Sequence, residues 1–269
     1  MELATDSLNA RPSANWCWRL IATALSFALF GLGGLCLRLL VFPLLSLLPG
    51  TAEDHCRRAR ATVSRLFWLF VRFMYRSGVF TYEVEGAERL GRPGQLIIAN
   101  HPSLIDVVVL IALIRDANCV VKQSLWDNPC TRGPIRAAQY ISNDGSAEML
   151  DEAATALRQG QTLIIFPEGT RTVPGQLPTF HRGAAAIALR GARCVTPVVI
   201  RVSPTTLTKA EPWYRIPSRR FHFHLRVGDD IDPQAFAARG AAPIASRQLN
   251  DHLHRHYIKE LAFDEPTHA

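Results

Sequence analysis

The sequence predicts an α/β protein with a mostly parallel sheet flanked by helices, preceded by an N-terminal helical membrane anchor. Beyond residue 78, short apolar runs alternate with helical patterns of about ten residues, which is typical of strand–helix–strand units. Two of these runs, 95–99 and 162–165, lead directly into polar and titratable side chains. Before residue 50 the chain instead carries a long apolar stretch, which predicts a membrane segment.

Composition narrows the possible partners. The 269-residue chain has a net charge of +7 and is 48% apolar, so we expect an anionic partner: a membrane surface, a phosphorylated substrate or nucleic acid. Aromatic–basic clusters are few and the N-terminus is apolar, so nucleic acid is not expected. The six cysteines are scattered without a C-x-x-C pair, which predicts reduced thiols in a cytoplasmic environment.

The first segment is polar over residues 1–15 and strongly apolar over 16–48. Arg19 and Arg38 enclose an uncharged window of 18 residues, about the minimum length that spans a bilayer. Acidic residues precede the window and no cleavage site follows, so a secretory signal is not expected, and Leu35 disfavours a lipoprotein signal at Cys36. We predict a membrane anchor and leave open whether it spans the bilayer or dips into one leaflet.

Residues 52–77 form a second segment, a predicted basic amphipathic helix. Its apolar face comprises Cys56, Val63, Leu66, Phe67, Phe70 and Met74, and six arginines decorate the remainder. Such helices lie in lipid interfaces with arginines at head-group level; a core-facing helix with a solvated basic side is the alternative. The arginine excess predicts that this side is cytoplasmic, as at a bacterial inner membrane. We assign residues 1–77 to the anchor and residues 78–269 to the α/β domain.

The elements of the α/β domain follow from local patterns. Strands are expected at 80–84, 95–99, 118–122, 139–142, 162–165, 194–202 and 221–227, of which the sixth is interrupted by Pro197 and the last is edge-like. Helices are expected at 103–114 with Pro102 in the first turn, at 147–158 between a Ser146 cap and Gly160, at 183–190 and at 245–263. Residues 126–136 are predicted to be irregular.

The first candidate site motif is Asn100-His101-Pro102-Ser103-Leu104-Ile105-Asp106, at the carboxyl end of the strand 95–99. A strand-to-helix turn can bring Asp106 behind the His101 imidazole, which would fix its tautomer and leave the other ring nitrogen as a general base. Asn100 and Ser103 would supply supporting hydrogen bonds. A spaced histidine–aspartate pair is common by chance, so this motif alone is weak evidence.

The second motif is Phe166-Pro167-Glu168-Gly169-Thr170-Arg171, which follows the strand 162–165. Open α/β sheets bind ligands at the carboxyl ends of their parallel strands. This turn would place a carboxylate, an unhindered backbone amide and a guanidinium suited to phosphate side by side. Taken alone, the motif is better explained as a loop ion pair.

Together the two motifs resemble those of the glycerolipid acyltransferase superfamily, which includes the lysophosphatidic acid acyltransferases. Asn100-His101-x-Ser103-x-x-Asp106 is similar to the family's first motif, residues 166–171 match its third, and Thr196-Pro197-Val198-Val199 resembles its fourth. The resemblance covers residues 80–205 strongly and the N-terminal membrane segments loosely.

The resemblance implies a reaction. His101, held by Asp106, would remove the proton from the hydroxyl of a lysophospholipid, with 1-acyl-glycerol-3-phosphate expected, and the alkoxide would attack an acyl thioester without an acyl-enzyme. The turn 168–171 would bind the acceptor. Acyl-carrier protein or acyl-CoA would be the acyl donor, with no metal and no other cofactor. We add that Lys122 and the Gly169 amide are candidates to stabilise the oxyanion.

Two positions depart from the family pattern. Asn143 stands where the family has an arginine that holds the acceptor phosphate, and His181 replaces a lysine, a loss of charge for which Arg182 would partly compensate. An acyltransferase dedicated to another lysolipid or a specialised acceptor is therefore an alternative. The intact motifs argue against an inert lipid-binding scaffold, and the lack of a visible nucleophile argues against a lipid hydrolase.

Two further histidine pairs each share one face of an element: His222 with His224, and His252 with His256. Neither pair has an evident third ligand, so solvated faces are expected rather than metal sites. The sequence contains no Gly-x-Ser-x-Gly elbow and no phosphate loop, which argues against a serine esterase and an NTPase.

Overall fold

A computed structural model describes residues 15–209 and 211–262, so the predicted end of the last helix at residue 263 lies outside the described residues. The helices are α1 (Trp16–Cys36), α2 (Phe42–Ser46), α3 (Ala52–Arg76), α4 (Asp106–Leu113), α5 (Arg132–Ala137), α6 (Ala147–Arg158), α7 (Gly183–Gly191), α8 (Gln234–Ala237) and α9 (Ala242–Ala262). The strands are β1 (Phe80–Glu85), β2 (Gln95–Ala99), β3 (Ala117–Lys122), β4 (Ile141–Asn143), β5 (Thr162–Ile165), β6 (Cys194–Ser203) and β7 (Phe221–Val227). A π-helical turn, Leu37–Val41, joins α1 to α2.

The strands of the described residues form one seven-stranded sheet with the order β1-β7-β6-β2-β5-β3-β4. All neighbouring pairs are parallel except β6 with β7, so the predicted α/β fold with a mostly parallel sheet is confirmed. The prediction that 221–227 is an edge strand is wrong, because β7 lies between β6 and β1. Its alternating burial reflects one partly uncovered sheet face.

Two hydrophobic layers enclose the sheet. Helices α1, α3 and α4 pack on the face that buries Ile97, and α6, α7 and α9 pack on the face that buries Leu96 and Ile98. Consecutive residues of β2 face opposite layers because side chains alternate along a strand. A strand covered on both faces has to be continuously apolar, which explains why β2 and β5 are recognisable from sequence.

Several local predictions differ from the structure. Helix α4 begins at Asp106 rather than at residue 103, because 102–105 form a turn in which the Ser103 amide donates to Asp106 Oδ2. Strand β4 begins at Ile141, since Gln139 has a left-handed backbone with φ 51°. Residues 126–136 contain most of α5 and are not wholly irregular. Pro197 does not interrupt β6, which pairs with β2 on both sides of it.

The apolar helix α1 lies along the α/β domain. Near its start, Arg19 is buried and donates to the carbonyl oxygens of Pro217 and Ser218, and near its end Gly34 packs against the loop before α5. By length and composition, Trp16–Ser46 is the one helix of the described residues that is long and apolar enough to cross a membrane. Only 22% of its apolar window is buried, and its exposed apolar side chains include Ile21, Leu25, Leu29 and Leu32.

Helix α3 uses its predicted apolar face in two ways. The buried residues of that face are Cys56, Val63 and Met74, and the partly exposed ones are Leu66, Phe67 and Phe70. Arg60, predicted to lie on the basic side, is also buried, where it donates to a backbone carbonyl at 2.8 Å and lies 3.6 Å from Asp116. The alternative prediction, a helix that faces the core and has a solvated basic side, is therefore correct for part of α3, because α1 and α4 cover one side of it.

Candidate active site

His101 and Asp106 form a hydrogen-bonded pair at the carboxyl end of β2. His101 Nδ1 lies 2.8 Å from Asp106 Oδ2, and the same oxygen accepts the Ser103 amide at 2.8 Å. Because the carboxylate accepts, Nδ1 carries the imidazole proton and Nε2 keeps a free lone pair. The turn 102–105 produces this geometry by returning the first residue of α4 to the end of the strand.

Asp106 is completely buried, whereas 18% of the His101 side chain is exposed. Burial raises the pKa of Asp106 to about 6, although the hydrogen bond and charge of His101 and the Ser103 amide favour its ionised form. The second carboxylate oxygen, Oδ1, has no hydrogen-bond partner among the described residues. A carboxylate in this position orients the imidazole and can balance a positive charge that develops on it.

Glu168, in the turn that follows the neighbouring strand β5, bonds to the backbone of His101. Its Oε1 accepts the His101 backbone amide at 2.8 Å, and its Oε2 accepts the Thr172 hydroxyl. The Thr172 amide in turn donates to the His101 carbonyl at 2.9 Å. Burial raises the pKa of Glu168. The two sequence motifs are therefore joined by hydrogen bonds on both sides of the His101 peptide unit.

Arg171 ties the second motif to the loop that follows β6. Its Nη1 donates to the carbonyl oxygens of Leu207 at 2.7 Å and Thr208 at 2.9 Å, and the Leu207 carbonyl also accepts the Leu104 amide at 3.1 Å. If the motif were only a loop ion pair, Arg171 would pair with Glu168. Within the described residues no such ion pair is present. Its other guanidinium N–H groups have no hydrogen-bond partner there and can receive an anion.

Asn100 and Ser103 support the turn without contacting the imidazole by a hydrogen bond. Asn100 joins β2 to β6, because its side-chain amide exchanges hydrogen bonds of 2.8 and 2.7 Å with the Ile200 backbone. Ser103 donates its backbone amide to Asp106, and its buried hydroxyl has no partner among the described residues. Both residues therefore hold the backbone that presents His101.

Gly169 and Thr170 complete the second motif. Gly169 has φ +65°, a conformation that favours glycine, and its amide donates to the Phe166 carbonyl at 3.1 Å. That amide therefore already donates a hydrogen bond inside the turn, and not to an oxyanion as predicted. Thr170 is exposed at the tip of the turn.

Lys122 and Arg182 lie further from the pair in the fold. Lys122 is exposed at the end of β3, where its register partner is Asn143 of β4. Arg182 is exposed directly before α7. Neither side chain forms a hydrogen bond with a described residue of the two motifs, so the structure does not bring them into the hydrogen-bonded group around His101.

Three site contacts are missed by sequence reasoning. The Phe166 ring lies against the His101 imidazole, with ring centroids 4.4 Å apart, and Thr172 bridges both motifs. His181 stands beside the second turn, with Cδ2 3.6 Å from the position that a Cβ on Gly169 would take. The only sequence signal for His181 is its departure from the lysine of the family pattern.

Two recesses flank the His101–Asp106 pair. An apolar cavity of about 410 Å³ lies between α1, α3 and α4, and its wall includes Val107 and Val108, which directly follow Asp106. A more polar, open groove of about 920 Å³ is lined by Asn100, Pro102 and Thr172. Both volumes fall in the range of ligand sites, about 300–1,000 Å³.

A separate group of side chains lies on the outer part of the sheet. Potential ligand atoms of Glu83, Glu85 and His224 lie within 4.8 Å of one another, and His222 lies 3.8 Å from Glu83. The sequence does not reveal this grouping, because β1 and β7 come together only through their parallel register. All four side chains are at least partly exposed and form histidine–carboxylate pairs, such as His224 with Glu85 at 2.8 Å.

Comparison with known proteins identifies the class to which this site belongs. Residues 81–201, which contain both motifs, match the family model Acyltransferase. This segment is therefore an acyltransferase-family domain, and the resemblance to glycerolipid acyltransferases inferred from the motifs is confirmed.

The individual relatives are more specific. Proteins named 1-acyl-sn-glycerol-3-phosphate acyltransferase from Pseudomonas aeruginosa and Cocos nucifera are 28% identical over 123 residues (44% of this chain, 48% of theirs) and 31% identical over 130 residues (44% and 40%). The Mus musculus alpha form is 28% identical over 167 residues (58% and 57%). The chain thus spans about half the length of the curated relatives it matches.

A solved structure shares the whole fold. The crystal structure of the 1-acyl-sn-glycerophosphate (LPA) acyltransferase PlsC from Thermotoga maritima has a TM-score of 0.70 to this chain and covers 91% of it and 96% of the solved chain. Sequence identity is 20%, so this likeness establishes the fold alone.

Proposed function

We propose that this chain is a membrane-associated O-acyltransferase that moves a fatty acyl group from an acyl thioester to the hydroxyl of a lysophospholipid. The observation that carries the proposal is the His101–Asp106 pair inside a segment that matches the acyltransferase family. The names of the relatives favour 1-acyl-glycerol-3-phosphate as the acceptor, with phosphatidic acid as the product. Acyl-CoA or acyl-carrier protein is the donor.

The geometry supports a direct transfer. His101 Nε2, left unprotonated by the Asp106 hydrogen bond, takes the proton of the acceptor hydroxyl as its oxygen attacks the thioester carbonyl. The tetrahedral intermediate expels the thiolate, and the imidazolium returns the proton to the sulfur. Asp106 stabilises the imidazolium in between. No protein nucleophile is consumed, so no acyl-enzyme forms.

Glu168 and Arg171 have distinct parts in this scheme. Glu168 positions the His101 backbone, and the spare lone pairs of its carboxylate accept from acceptor hydroxyl groups. Arg171 uses Nη1 to hold the loop at 207–208, and its remaining N–H groups bind the acceptor phosphate. Lys122 and Arg182 stay candidates for phosphate or oxyanion contacts, because both are exposed cations without a partner among the described residues.

The apolar cavity between α1, α3 and α4 is suited to the fatty acyl chain. Its wall is almost entirely hydrocarbon and includes Val107 and Val108, which directly follow Asp106 in the chain. It is formed largely by the helices with exposed apolar faces, so a chain entering it passes directly from the lipid phase. The cavity depth would then set the preferred chain length.

Membrane association follows from the exposed face of α1. Hydrogen bonds tie both ends of this helix to the α/β domain: Arg19 near its start bonds to the loop at 217–218, and Arg38, in the π-helical turn directly after α1, bonds to Pro129. A helix tied to one domain at both ends cannot cross a bilayer while that domain stays outside, so α1 dips into one leaflet. The arginines of α3 favour the cytoplasmic face of that membrane.

The test is an acyl-transfer assay on detergent-solubilised protein, with lysophosphatidic acid and a panel of other lysolipids as acceptors and both thioester classes as donors. We expect His101→Ala to lower the transfer rate by about 10²- to 10⁴-fold, because a general base contributes that much. His252→Ala, which changes an exposed histidine of α9, is the matched control and should keep the wild-type rate.

Three outcomes would change the proposal. Transfer by His101→Ala at the control rate would exclude the mechanism. Product with another lysolipid only would favour the specialised acceptor that Asn143 suggests. Release of free fatty acid without any acceptor would indicate a hydrolase instead.

A further inference from the structure

A cationic recess of about 420 Å³ lies where the start of α1 meets the end of α3. Its wall includes Trp18 and four arginines from three separate parts of the chain: Arg19, Arg76, Arg219 and Arg220. No acidic residue of the described chain lines it. The fold therefore gathers four guanidinium groups at one place, and no acidic side chain of residues 15–209 or 211–262 lines that place with them.

Three of these arginines lack an anionic partner. Arg76, Arg219 and Arg220 are exposed, and none of them forms an ion pair or side-chain hydrogen bond with a described residue. Arg19 is buried and donates to backbone carbonyl oxygens of the adjacent loop, and it lies close enough to Arg220 for their charges to repel. An anion in the recess would relieve this repulsion and accept several charge-assisted hydrogen bonds.

The N-terminus of α1 opens into the same recess. Asn15 lines the recess as the N-cap residue, but its side chain makes no capping hydrogen bond, and the first turn carries no acidic residue. Among the described residues, which begin at Asn15, no side chain caps the first amides of this 21-residue helix. Helix N-termini favour anions through these amides and the helix dipole.

The recess borders an exposed apolar surface. Trp18 is 55% exposed with its Nε1 donating to the Ser77 carbonyl at 2.8 Å, and one turn away Ile21 is 59% exposed. Tyr75, next to Arg76, is also exposed. Tryptophan and tyrosine beside arginine are typical of the level at which hydrocarbon meets lipid head groups.

We propose that this recess binds the phosphate of an anionic phospholipid of the surrounding bilayer, at a site separate from the His101–Asp106 pair. The proposal rests on the membrane association proposed above. Free phosphate would satisfy the arginines alone, whereas a phospholipid also covers the apolar border formed by Trp18 and Ile21. The bound lipid would orient the domain on the membrane and take no part in acyl transfer.

The test uses the full chain and measures its flotation with vesicles of phosphatidylcholine alone or mixed equally with phosphatidylglycerol. In Arg76→Gln/Arg219→Gln/Arg220→Gln, we expect binding to the mixed vesicles to fall by about 100-fold, since each arginine near an anionic surface contributes about 1 kcal/mol. The control is Arg158→Gln/Arg193→Gln/Arg247→Gln, which removes the same charge from exposed arginines of α6, of the turn after α7 and of α9.

The control variant should lose less than about threefold, because α6, α7 and α9 pack on the face of the sheet opposite to α1 and α3, and salt screens charges over about 10 Å. Equal losses of vesicle binding in both variants would overturn the proposal in favour of non-specific attraction. If millimolar inorganic phosphate displaced the protein from the vesicles, the recess would instead be a site for the free ion. Transfer in detergent separates this proposal from the catalytic one: the recess variant should stay active, and His101→Ala should be inactive yet still float.

Discussion

At the scale of single residues, the site depends on one completely buried carboxylate. Asp106 accepts hydrogen bonds on Oδ2 from His101 and the Ser103 amide, while Oδ1 has no partner among the described residues. Burying a charge with incomplete hydrogen bonding is costly, which is the physical reason that the pKa of Asp106 rises to about 6. The residue proposed to orient the base is therefore costly to keep ionised in the folded protein.

This cost predicts how stability depends on pH. The pKa of Asp106 rises from its ordinary 3.8 to about 6 in the folded protein, so the folded state binds this proton more tightly than the unfolded chain. The free energy of unfolding therefore falls as pH rises from 3.8 to about 6. Above that pH range the ionised Asp106 carboxylate lowers it by on the order of 3 kcal/mol. We expect Asp106→Asn to lose activity but to be at least as stable as wild type at neutral pH.

Denaturant unfolding over a pH series measures this difference. The advantage of Asp106→Asn should shrink as pH falls through the same window, whereas Asp251→Asn, at an exposed position on α9, should follow the wild-type profile. A stability difference that does not change with pH would show that Asp106 titrates normally.

At the scale of elements, α1 packs closely against the loop before α5 at Gly34. A Cβ added at Gly34 would lie 2.0 Å from the Cys130 carbonyl oxygen, whereas one added at neighbouring Gly33 would meet nothing within 4 Å. Glycine at position 34 therefore lets helix and loop backbones touch, and glycine at position 33 leaves space in the apolar cavity. Two adjacent identical residues thus have different structural roles.

We expect Gly34→Ala to destabilise the protein by about 1–3 kcal/mol, because the added methyl group forces α1 away from the loop. Gly33→Ala should instead stabilise it by about 0.5–1 kcal/mol, since alanine favours a helix over glycine and nothing opposes the methyl group. Thermal unfolding in detergent compares the two variants. Equal melting temperatures would mean that α1 does not pack on Cys130 in this way.

The empty space at Gly33 gives a second prediction at this scale. Gly33→Phe should project a ring into the apolar cavity and shorten the acyl chain it accepts, lowering kcat/KM for the longest donors at least about tenfold while short donors are unaffected. Competition between donors of different chain length measures this preference. An unchanged chain-length profile would place the acyl chain elsewhere.

At the scale of the whole molecule, α1 packs along the α/β domain and keeps exposed apolar side chains on its outer side. The helix contacts the domain from the loop at 217–218 to the segment at 129–133, and its outer side carries exposed leucines. The apolar cavity and the cationic recess are both lined by residues of α1 and α3, and on the proposed function this layer of helices faces the membrane.

A one-leaflet arrangement predicts that both ends of α1 lie on the same side of the membrane as the domain. Cys17 is exposed near the start of α1, and Cys194 is partly exposed at the start of β6. In single-cysteine variants, we expect a membrane-impermeant maleimide to label both positions in inverted vesicles and neither in right-side-out vesicles. Labelling of Cys17 from the side opposite to Cys194 would show that α1 spans the bilayer.

Much of the fold was predictable because its signals are local. Helix α6 matches its predicted bounds, and its Ser146 cap accepts the Met149 amide at 3.1 Å. The interior strands β2 and β5 are evident because they are apolar on both faces. The position of β7 was not predictable, because alternating burial is common to edge strands and to inner strands with one uncovered face.

The sequence by itself determined the α/β class, the two motifs, and the apolar and basic character of the N-terminal segments, because these depend on residue type and short-range spacing. Only the tertiary structure decided what each side chain contacts. Arg171 bonds to the loop at 207–208, α1 lies flat along the domain, and four arginines share one recess. Such contacts join residues far apart in the chain, and only the packing of the folded protein brings those residues together.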